Sequence, residues 1–315
     1  MQIKSMIITG ATSSLGCALM DECIKNNTRV LALVNPGSNN IKRIPDSELI
    51  TIKPCALSDM EKLKNEWTSS MGEYDALVHL AWGATHGEKD RGQLYPQVDN
   101  VTYTLKAIEL AKTAGCKVFV GAGSQAEYGR TNERLTENTP TNPETPYGVA
   151  KLCAGQLGRI AAREAGIRFV WPRILSTYGP KYLPYTVVNY TINELLAGRK
   201  PSLSGGDQVW DFIYSADAAK ALYMLAEKGH DGEVYVVGSG KERLLKEYLR
   251  DILNVLDPEG KIGLGLGEKP YTDTTVMYLS CDISKLRKDT GFEPSVSFED
   301  GIKMNIEWNR ENMKT

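Results

Sequence analysis

Near its start the chain runs from a short apolar stretch, Met6-Ile7-Ile8, into Thr9-Gly10-Ala11-Thr12-Ser13-Ser14-Leu15-Gly16. An amphipathic segment through Leu19, Cys23 and Ile24 follows. Strand, glycine turn, helix is a tightly constrained sequence of events. It places backbone N–H groups and a helix N-terminus beyond the end of a strand, which suits a pyrophosphate. Dinucleotide fingerprints usually carry a third glycine between the outer two. Here Ser13 and Ser14 fill that space, and either hydroxyl is free by sequence to meet a phosphate. Gly10, Thr12, Ser13, Ser14, Leu15 and Gly16 are thus candidate contacts for a dinucleotide cofactor.

The same alternation continues. Apolar runs at 30–34, 49–52, 75–81, 117–122, 168–172 and 232–238 read as strands, separated by segments of helical periodicity. The run at 75–81 is nearly all apolar, as a central parallel strand would be. Ser58-Asp59-Met60-Glu61 fits a capping box opening a helix to about 67. Further helices are expected over 97–114, 184–198, 216–226, 244–256 and 298–312, and the glycine-rich 260–267 as a flexible loop. A chain of 315 residues, 42% apolar, has ample material for a large core in one elaborated domain or two. Its net charge of −2 offers no broad attraction to nucleic acid or an anionic membrane. No apolar run reaches membrane-spanning length, and the N-terminus enters a strand without a signal peptide, so a cytoplasmic protein is expected. Six cysteines without CxxC spacing read as reduced thiols, and His79, His86 and His230 are too scattered for a metal site. His79, inside a strand, reads as a core histidine.

Three stretches carry candidate chemistry. The second strand ends at Asn35-Pro36-Gly37-Ser38, where an acidic residue would bind the adenosine ribose of NAD. Neutral Asn35 does not repel a 2′-phosphate, and Ser38, Lys42 and Arg43 follow within reach of one, which favours NADP(H) over NAD(H). The segment Ala81-Trp82-Gly83-Ala84-Thr85-His86 lies where open α/β sheets bind ligands, and Trp82 and Thr85 are candidate substrate contacts. Thr145-Pro146-Tyr147-Gly148-Val149-Ala150-Lys151 opens a helix, with Thr145 as N-cap and Pro146 in the first turn. Tyr147 and Lys151 share one helix face. An ammonium ~4 Å from a phenol, at an effective dielectric of ~20, is worth about 4 kcal/mol. That would lower the phenol by roughly three units, towards neutral pH, and fit it to give or take a proton from a sugar or alcohol oxygen.

The ordered set of these features resembles the extended short-chain dehydrogenase/reductases that act as nucleotide-sugar epimerases, dehydratases and reductases. The set is the TGxxxxxG turn, the strand end His79-Leu80-Ala81, Asn100 in a helix, and Ser124 before Tyr128-Gly129. Beyond come Tyr147 with Lys151, Pro172-Arg173, Tyr178-Gly179-Pro180, Trp210-Asp211-Phe212-Ile213-Tyr214 and Asp217. The resemblance spans essentially the whole chain. It implies a Rossmann-type, doubly wound parallel α/β sheet over residues 1–175, carrying the catalytic groups. A smaller α/β substrate domain over 176–315 would return some segments to the first. Ser124 would hold the reacting oxygen, Tyr147 would exchange the proton, and Lys151 would bind the nicotinamide ribose. Leu57, Leu80, Ala81, Asn100 and Leu175 fall where family members contact the cofactor or adjoin the site. Gln125, Ser176 and Trp210 fall on substrate-binding segments. The family also pairs the helices near 97–114 and 147–165 in a homodimer's four-helix interface.

Several positions depart from the family pattern. Ala56 stands where many members have an Asp that contacts adenine. Trp210 replaces the Arg that binds the substrate diphosphate, and Ser176 replaces an Asn. Gln125 and Ala126 occupy the places of the Asp-Glu pair of 4,6-dehydratases and cannot serve as general acid or base, which argues against dehydration. The reading is NADPH-dependent reduction of a keto group on a nucleotide-activated deoxy sugar. The alternatives are an NAD-dependent 4-epimerase and a non-catalytic NAD(P)-binding module.

Overall fold

The computed structural model describes residues 1–85 and 87–312; His86 and residues 313–315 lie outside them. Strand β1 (Ser5–Thr9) is wholly buried, and helix α1 (Ser14–Lys25) starts just past the glycine turn. The chain continues through β2 (Arg29–Val34), β3 (Ile50–Pro54), α2 (Met60–Asn65), β4 (Ala76–His79), α3 (Glu88–Arg91) and α4 (Leu94–Thr113). Then follow β5 (Val118–Gly121), β6 (Gly123–Ser124), α5 (Pro146–Ala165) and β7 (Arg168–Ile174). Next come β8 (Ser176–Tyr178), α6 (Val187–Leu196), β9 (Val209–Trp210), β10 (Phe212–Tyr214), α7 (Ser215–Lys228) and β11 (Glu233–Val237). The chain closes with β12 (Arg243–Leu244), α8 (Leu245–Leu256), β13 (Tyr278–Leu279), α9 (Ser284–Thr290) and α10 (Phe298–Asn312).

The main sheet runs β3-β2-β1-β4-β5-β7-β11, with every pairing parallel, and β6 extends it beside β7. Successive strand side chains point to opposite faces, so the strands feed two cores. Met6, Ile8, Ala32, Val78 and Val120 pack towards α1 and α7. Ile7, Leu31, Leu33, Leu77 and Phe119 pack towards α4 and α5. The strand order reverses between β1 and β4, and ligands of such sheets bind in the crevice outside the strand ends there. This is a Rossmann-type α/β fold.

A smaller cluster completes the molecule. β8 pairs with β10, and β9 lies between β12 and β13. Tyr178 of β8 and Phe212 and Tyr214 of β10 pack with Tyr248 of α8, and with α6 and α10, around Phe298. Tyr248 and Phe298 meet with ring centres 4.6 Å apart. Helix α7 and strand β11 return to the main sheet, so the chain crosses between the two cores more than once.

Some expectations need correction. The stretch from Ser58 to Glu61 forms no capping box. A 3-10 turn (Leu57–Asp59) precedes α2, whose N-cap Asp59 makes no side-chain cap bond. Glu61 is drawn away by Lys106, 3.0 Å distant. Helix α2 stops at Asn65 and α6 spans 187–196, both shorter than their apolar patterns suggested. The 260–267 stretch is folded, not loose. The Asp257 carboxylate accepts from the N–H groups of Lys261, Ile262 and Gly263, and Gly265 bridges to Ser202. His79 is buried, as expected; burial, reinforced by the Lys151 charge, pushes its pKa down to about 3, so the ring is neutral. All six cysteines are free thiols. Among the described residues no helix is long and apolar enough to cross a membrane.

Candidate active site

The glycine turn owes its shape to its outer two glycines. Gly10 has φ +70°, and a Cβ there would stand 2.7 Å from the Ala81 nitrogen. At Gly16 a Cβ would collide with the Gly10 carbonyl. Ser13 is the N-cap of α1. Its Oγ accepts from the Gly16 N–H (3.0 Å) and donates to the Gly10 carbonyl (2.8 Å). The Ser14 hydroxyl donates to the Pro180 carbonyl at 2.6 Å. Both serine hydroxyls thus have partners within the protein. Ser13 takes up the Gly16 and Cys17 amides of the first turn, so the Ser14 and Leu15 amides are the ones that suit an anion.

The β1 and β4 ends are locked together at this turn. Thr9 Oγ1 lies 2.9 Å from His79 Nδ1 and accepts from the Ala81 N–H at 3.2 Å. Leu80 donates its N–H to the Thr9 carbonyl. Gly10, Leu80 and Ala81 are thereby brought together, with Leu57 past the end of β3. Leu175 follows β7, where its N–H meets the Val237 carbonyl. At the far end of the crevice Ser38 donates to the Thr12 hydroxyl (3.3 Å), and the Asn35 carboxamide oxygen accepts from the Gly37 N–H. Arg43 donates to the Lys181 carbonyl, while Lys181 Nζ donates to that of Arg43. Arg43 thus ties this end to the loop after β8.

Ser124, Tyr147 and Lys151 converge at the strand ends. Thr145 caps α5 by accepting from the Gly148 N–H (3.1 Å), and Pro146 occupies the first turn, as the sequence predicts. The Ser124 hydroxyl stands near the Tyr147 phenol and acts to lower its pKa. Lys151 is buried. Its ammonium donates to the Ala122 carbonyl at 2.7 Å and lies 3.6 Å from the Trp82 ring centre, but 5.7 Å from that of Tyr147. Burial pushes the Lys151 pKa down to about 7, aided by Arg91 and opposed by Glu127. The expectation that Lys151 lowers the phenol is not met. Burial raises Tyr147, and the opposing influences are Arg91 and the Ser124 hydroxyl. Helical spacing put the two side chains on one face, but the ammonium is drawn to a carbonyl and an indole instead.

Trp82 stands edge-on to Tyr147, with ring centres 6.1 Å apart. Thr85 lies further along the same segment. Gln125 is half-buried, one residue past Ser124. Ser176 and Trp210 meet each other, the indole N–H donating to Ser176 Oγ at 2.9 Å. Trp210 also packs against both the main-sheet core and the aromatic core.

Four further residues shape the site and were not picked from the sequence. Glu127, fully buried, accepts from the Ser124 N–H (2.8 Å), from Trp171 Nε1 (3.0 Å) and from Arg173 Nε (2.7 Å). The Ser124 hydroxyl accepts in turn from the Ala126 N–H, which closes a capping box. Ser124-x-x-Glu127 carries the same signature that was read at Ser58, so this signal was available. Gln97, Arg91 and Tyr182 stand near Trp82 or Tyr147 only through tertiary folding. Trp171 itself fills a hollow left by Gly121, Gly123 and Gly155, at each of which a Cβ would crowd the indole.

The model of the NAD dependent epimerase/dehydratase family matches residues 6–238. A putative UDP-glucose 4-epimerase of Methanocaldococcus jannaschii is 26% identical over 98% of this chain and 100% of its own length. The UDP-N-acetylglucosamine 4-epimerase of Methanobrevibacter ruminantium, solved with UDP-N-acetylmuramic acid, superposes with a TM-score of 0.87. It is 25% identical over 99% of this chain and 100% of that one. The dTDP-glucose 4,6-dehydratase of Bacillus anthracis, solved with NAD, superposes at 0.83 with 21% identity over 98% and 97% of the two chains. With its Rossmann-type sheet, glycine turn and Ser124–Tyr147 contact, this chain is an enzyme of the NAD dependent epimerase/dehydratase family.

Proposed function

We propose that the protein reduces a keto group on a nucleotide-activated deoxy sugar, with NADPH. The observation that carries this reading is the convergence of Ser124, Tyr147 and Lys151 beside the Gly10–Gly16 turn. The closeness of Gly10 to Ala81 and of Gly16 to Gly10 leaves a cradle without side chains at the N-terminus of α1, which fits a dinucleotide pyrophosphate. The bound nicotinamide supplies the hydride. Tyr147, kept protonated by burial, gives its proton to the carbonyl oxygen, and the Ser124 hydroxyl orients that oxygen. Gln125 and Ala126 supply no acid or base for dehydration. Residues 1–175 would form the dinucleotide domain and 176–315 mainly the substrate domain, with Trp82, Thr85, Gln125, Ser176 and Trp210 towards the sugar nucleotide. A cytoplasmic homodimer joined through α4 and α5 fits the family resemblance.

A 4-epimerase is the second reading, favoured by the two epimerases similar over the full chain. NAD in the Bacillus anthracis dehydratase favours the same cofactor here, so the case for NADP rests on neutral Asn35. The test is to mix the protein with NADPH and a nucleotide 4-keto-6-deoxyhexose and follow the reduced nicotinamide absorbance. Loss of absorbance supports the reductase. No loss, together with interconversion of UDP-sugars by protein carrying NAD, decides for the epimerase. Tyr147→Phe is expected to cost about 10² or more in rate under either reading. Thermal-shift titrations separate NADP from NAD, since a ligand at ~100 times its Kd adds about 2.7 kcal/mol of stability. A shift with neither would point to a non-catalytic module.

A further inference from the structure

Two segments that meet Tyr147 are held by different means. The one between β4 and α4 is held by neutral carboxamides. Asn100 accepts from the Gly83 N–H (2.7 Å) and donates to the Gly83 carbonyl (3.0 Å), and Gln97 accepts from Trp82 Nε1 (2.8 Å). The turn that carries Ser124 is held by a buried charge. The Glu127 carboxylate is fully enclosed and pairs with Arg173, whose own side chain is only 5% exposed. Oε2 accepts from Arg173 Nε at 2.7 Å, while Oε1 is shared by Trp171 Nε1 (3.0 Å) and the Ser124 N–H (2.8 Å). Trp171 and Arg173 are alternate residues of β7 and so share one face of the sheet. Gly123 makes room for the carboxylate, since a Cβ there would stand 2.7 Å from Oε1. Ser124 itself is extended, at φ −146° and ψ 148°, and its Oγ accepts from the Ala126 N–H at 3.2 Å, which leaves its O–H to donate elsewhere.

Folding alone does not call for that charge. A buried ion pair is often no more stable than apolar residues of the same volume. What an ionised acceptor adds is stiffness, because its hydrogen bonds are shorter and roughly twice as strong as neutral ones. One of those bonds ends on the backbone of the serine that the reaction uses. We propose that Glu127 is a positioning residue: anchored to β7 by Arg173 and Trp171, its carboxylate fixes the Ser124 backbone so that the hydroxyl stays aimed at the reacting oxygen of the sugar. This rests on the reading of Ser124 as the group that orients that oxygen. Glu127 gives no proton to the substrate. A dehydratase acid pair would stand at 125 and 126, whereas this carboxylate comes one residue later and turns into the protein.

The test separates positioning from folding. Glu127→Gln keeps the volume and loses the charge. It is expected to lower kcat by about tenfold, against the ~100-fold that a 1 Å misplacement costs, and to leave KM within about twofold of wild type. An arginine left unpaired in the interior can unfold a protein, so the companion variant is Glu127→Leu with Arg173→Met, which removes both charges. It is expected to unfold cooperatively like wild type and to lose rate to the same extent as Glu127→Gln. In a Ser124→Ala background, Glu127→Gln is expected to cost nothing more, since its effect runs through Ser124. Wild-type kcat in the paired variant overturns the proposal. So does an undiminished further loss in the Ser124→Ala background, which marks a general effect on the fold. Ser124 serves reductase and epimerase alike, so the rate is read with a nucleotide 4-keto-6-deoxyhexose and NADPH or with a UDP-sugar and NAD. A second readout needs no substrate. In protein labelled with carbon-13 at serine Cβ, the Ser124 resonance, assigned by its loss in Ser124→Ala, is expected to move in both Glu127 variants. An unmoved resonance overturns the proposal, whereas a moved resonance without turnover of any nucleotide sugar counts against the proposed function and leaves the positioning of Ser124 standing.

Discussion

Lys151 gives its ammonium to a backbone carbonyl and an indole face, and this changes how its charge couples to folding. Its folded pKa is about 7, against about 10.4 for an unfolded lysine. Below pH 7 both states hold the proton. Between pH 7 and 10.4 only the unfolded state does, so the contribution of Lys151 to stability rises with pH across that window, by at most about 1.4 kcal/mol per unit. Lys151→Met, which cannot titrate, is expected to lose ground to wild type as pH goes from 7 to 9. Urea unfolding at the two pH values measures this, and parallel behaviour would refute it. The sequence made the Tyr147–Lys151 pair legible through helical spacing and the Thr145-Pro146 start. It did not reveal burial or the choice of partner, because the Ala122 carbonyl and the Trp82 ring arrive from other strands. The two capping-box signatures teach the same lesson. Ser58-x-x-Glu61 lies at the surface, where Lys106 competes for the carboxylate. Ser124-x-x-Glu127 is buried, where Trp171 and Arg173 hold the carboxylate in place.

At the scale of elements, the strand–turn–helix start was readable because a positive φ and a backbone-to-backbone approach leave glycine as the fitting residue. The backbone partners that Ser13 finds within the turn were not legible, because they depend on how the turn folds back on itself. Gly16→Ala is expected to destabilise the protein by about 1–3 kcal/mol, the usual cost of overpacking, and to abolish the thermal shift given by the dinucleotide. Calorimetry with and without cofactor checks both parts, and an unaltered shift would mean that the turn does not hold the pyrophosphate. The main-sheet strands were legible as apolar runs bounded by turns. The two-residue strands β9, β12 and β13 were not, since so short a pattern has no period to detect.

For the whole molecule, several large apolar side chains remain exposed on α4 and α5. They include Leu94, Tyr95 and Val98 on the first helix and Val149, Leu157 and Ile160 on the second. A four-helix dimer interface would cover them. Sedimentation at micromolar concentration is expected to give twice the chain mass, and Ile160→Asp to return it to a single chain; a monomeric wild type would refute the arrangement. Residues on both sides of 175 join one architecture, since α7 and β11 come back to the first sheet. The latch of Ser14 on Pro180 and of Arg43 on Lys181 was not legible in the sequence, because its partners lie more than a hundred residues apart.

The indole of Trp171 lies in a hollow made by three absent side chains, with its N–H on the carboxylate that fixes Ser124. Such a seat constrains heredity as much as mechanics. A smaller residue at 171 would open a void beneath the reacting groups, while a larger one at 121, 123 or 155 would collide. Substitutions at these positions are therefore coupled, and redesign of the site has more room in the segment above than in this floor.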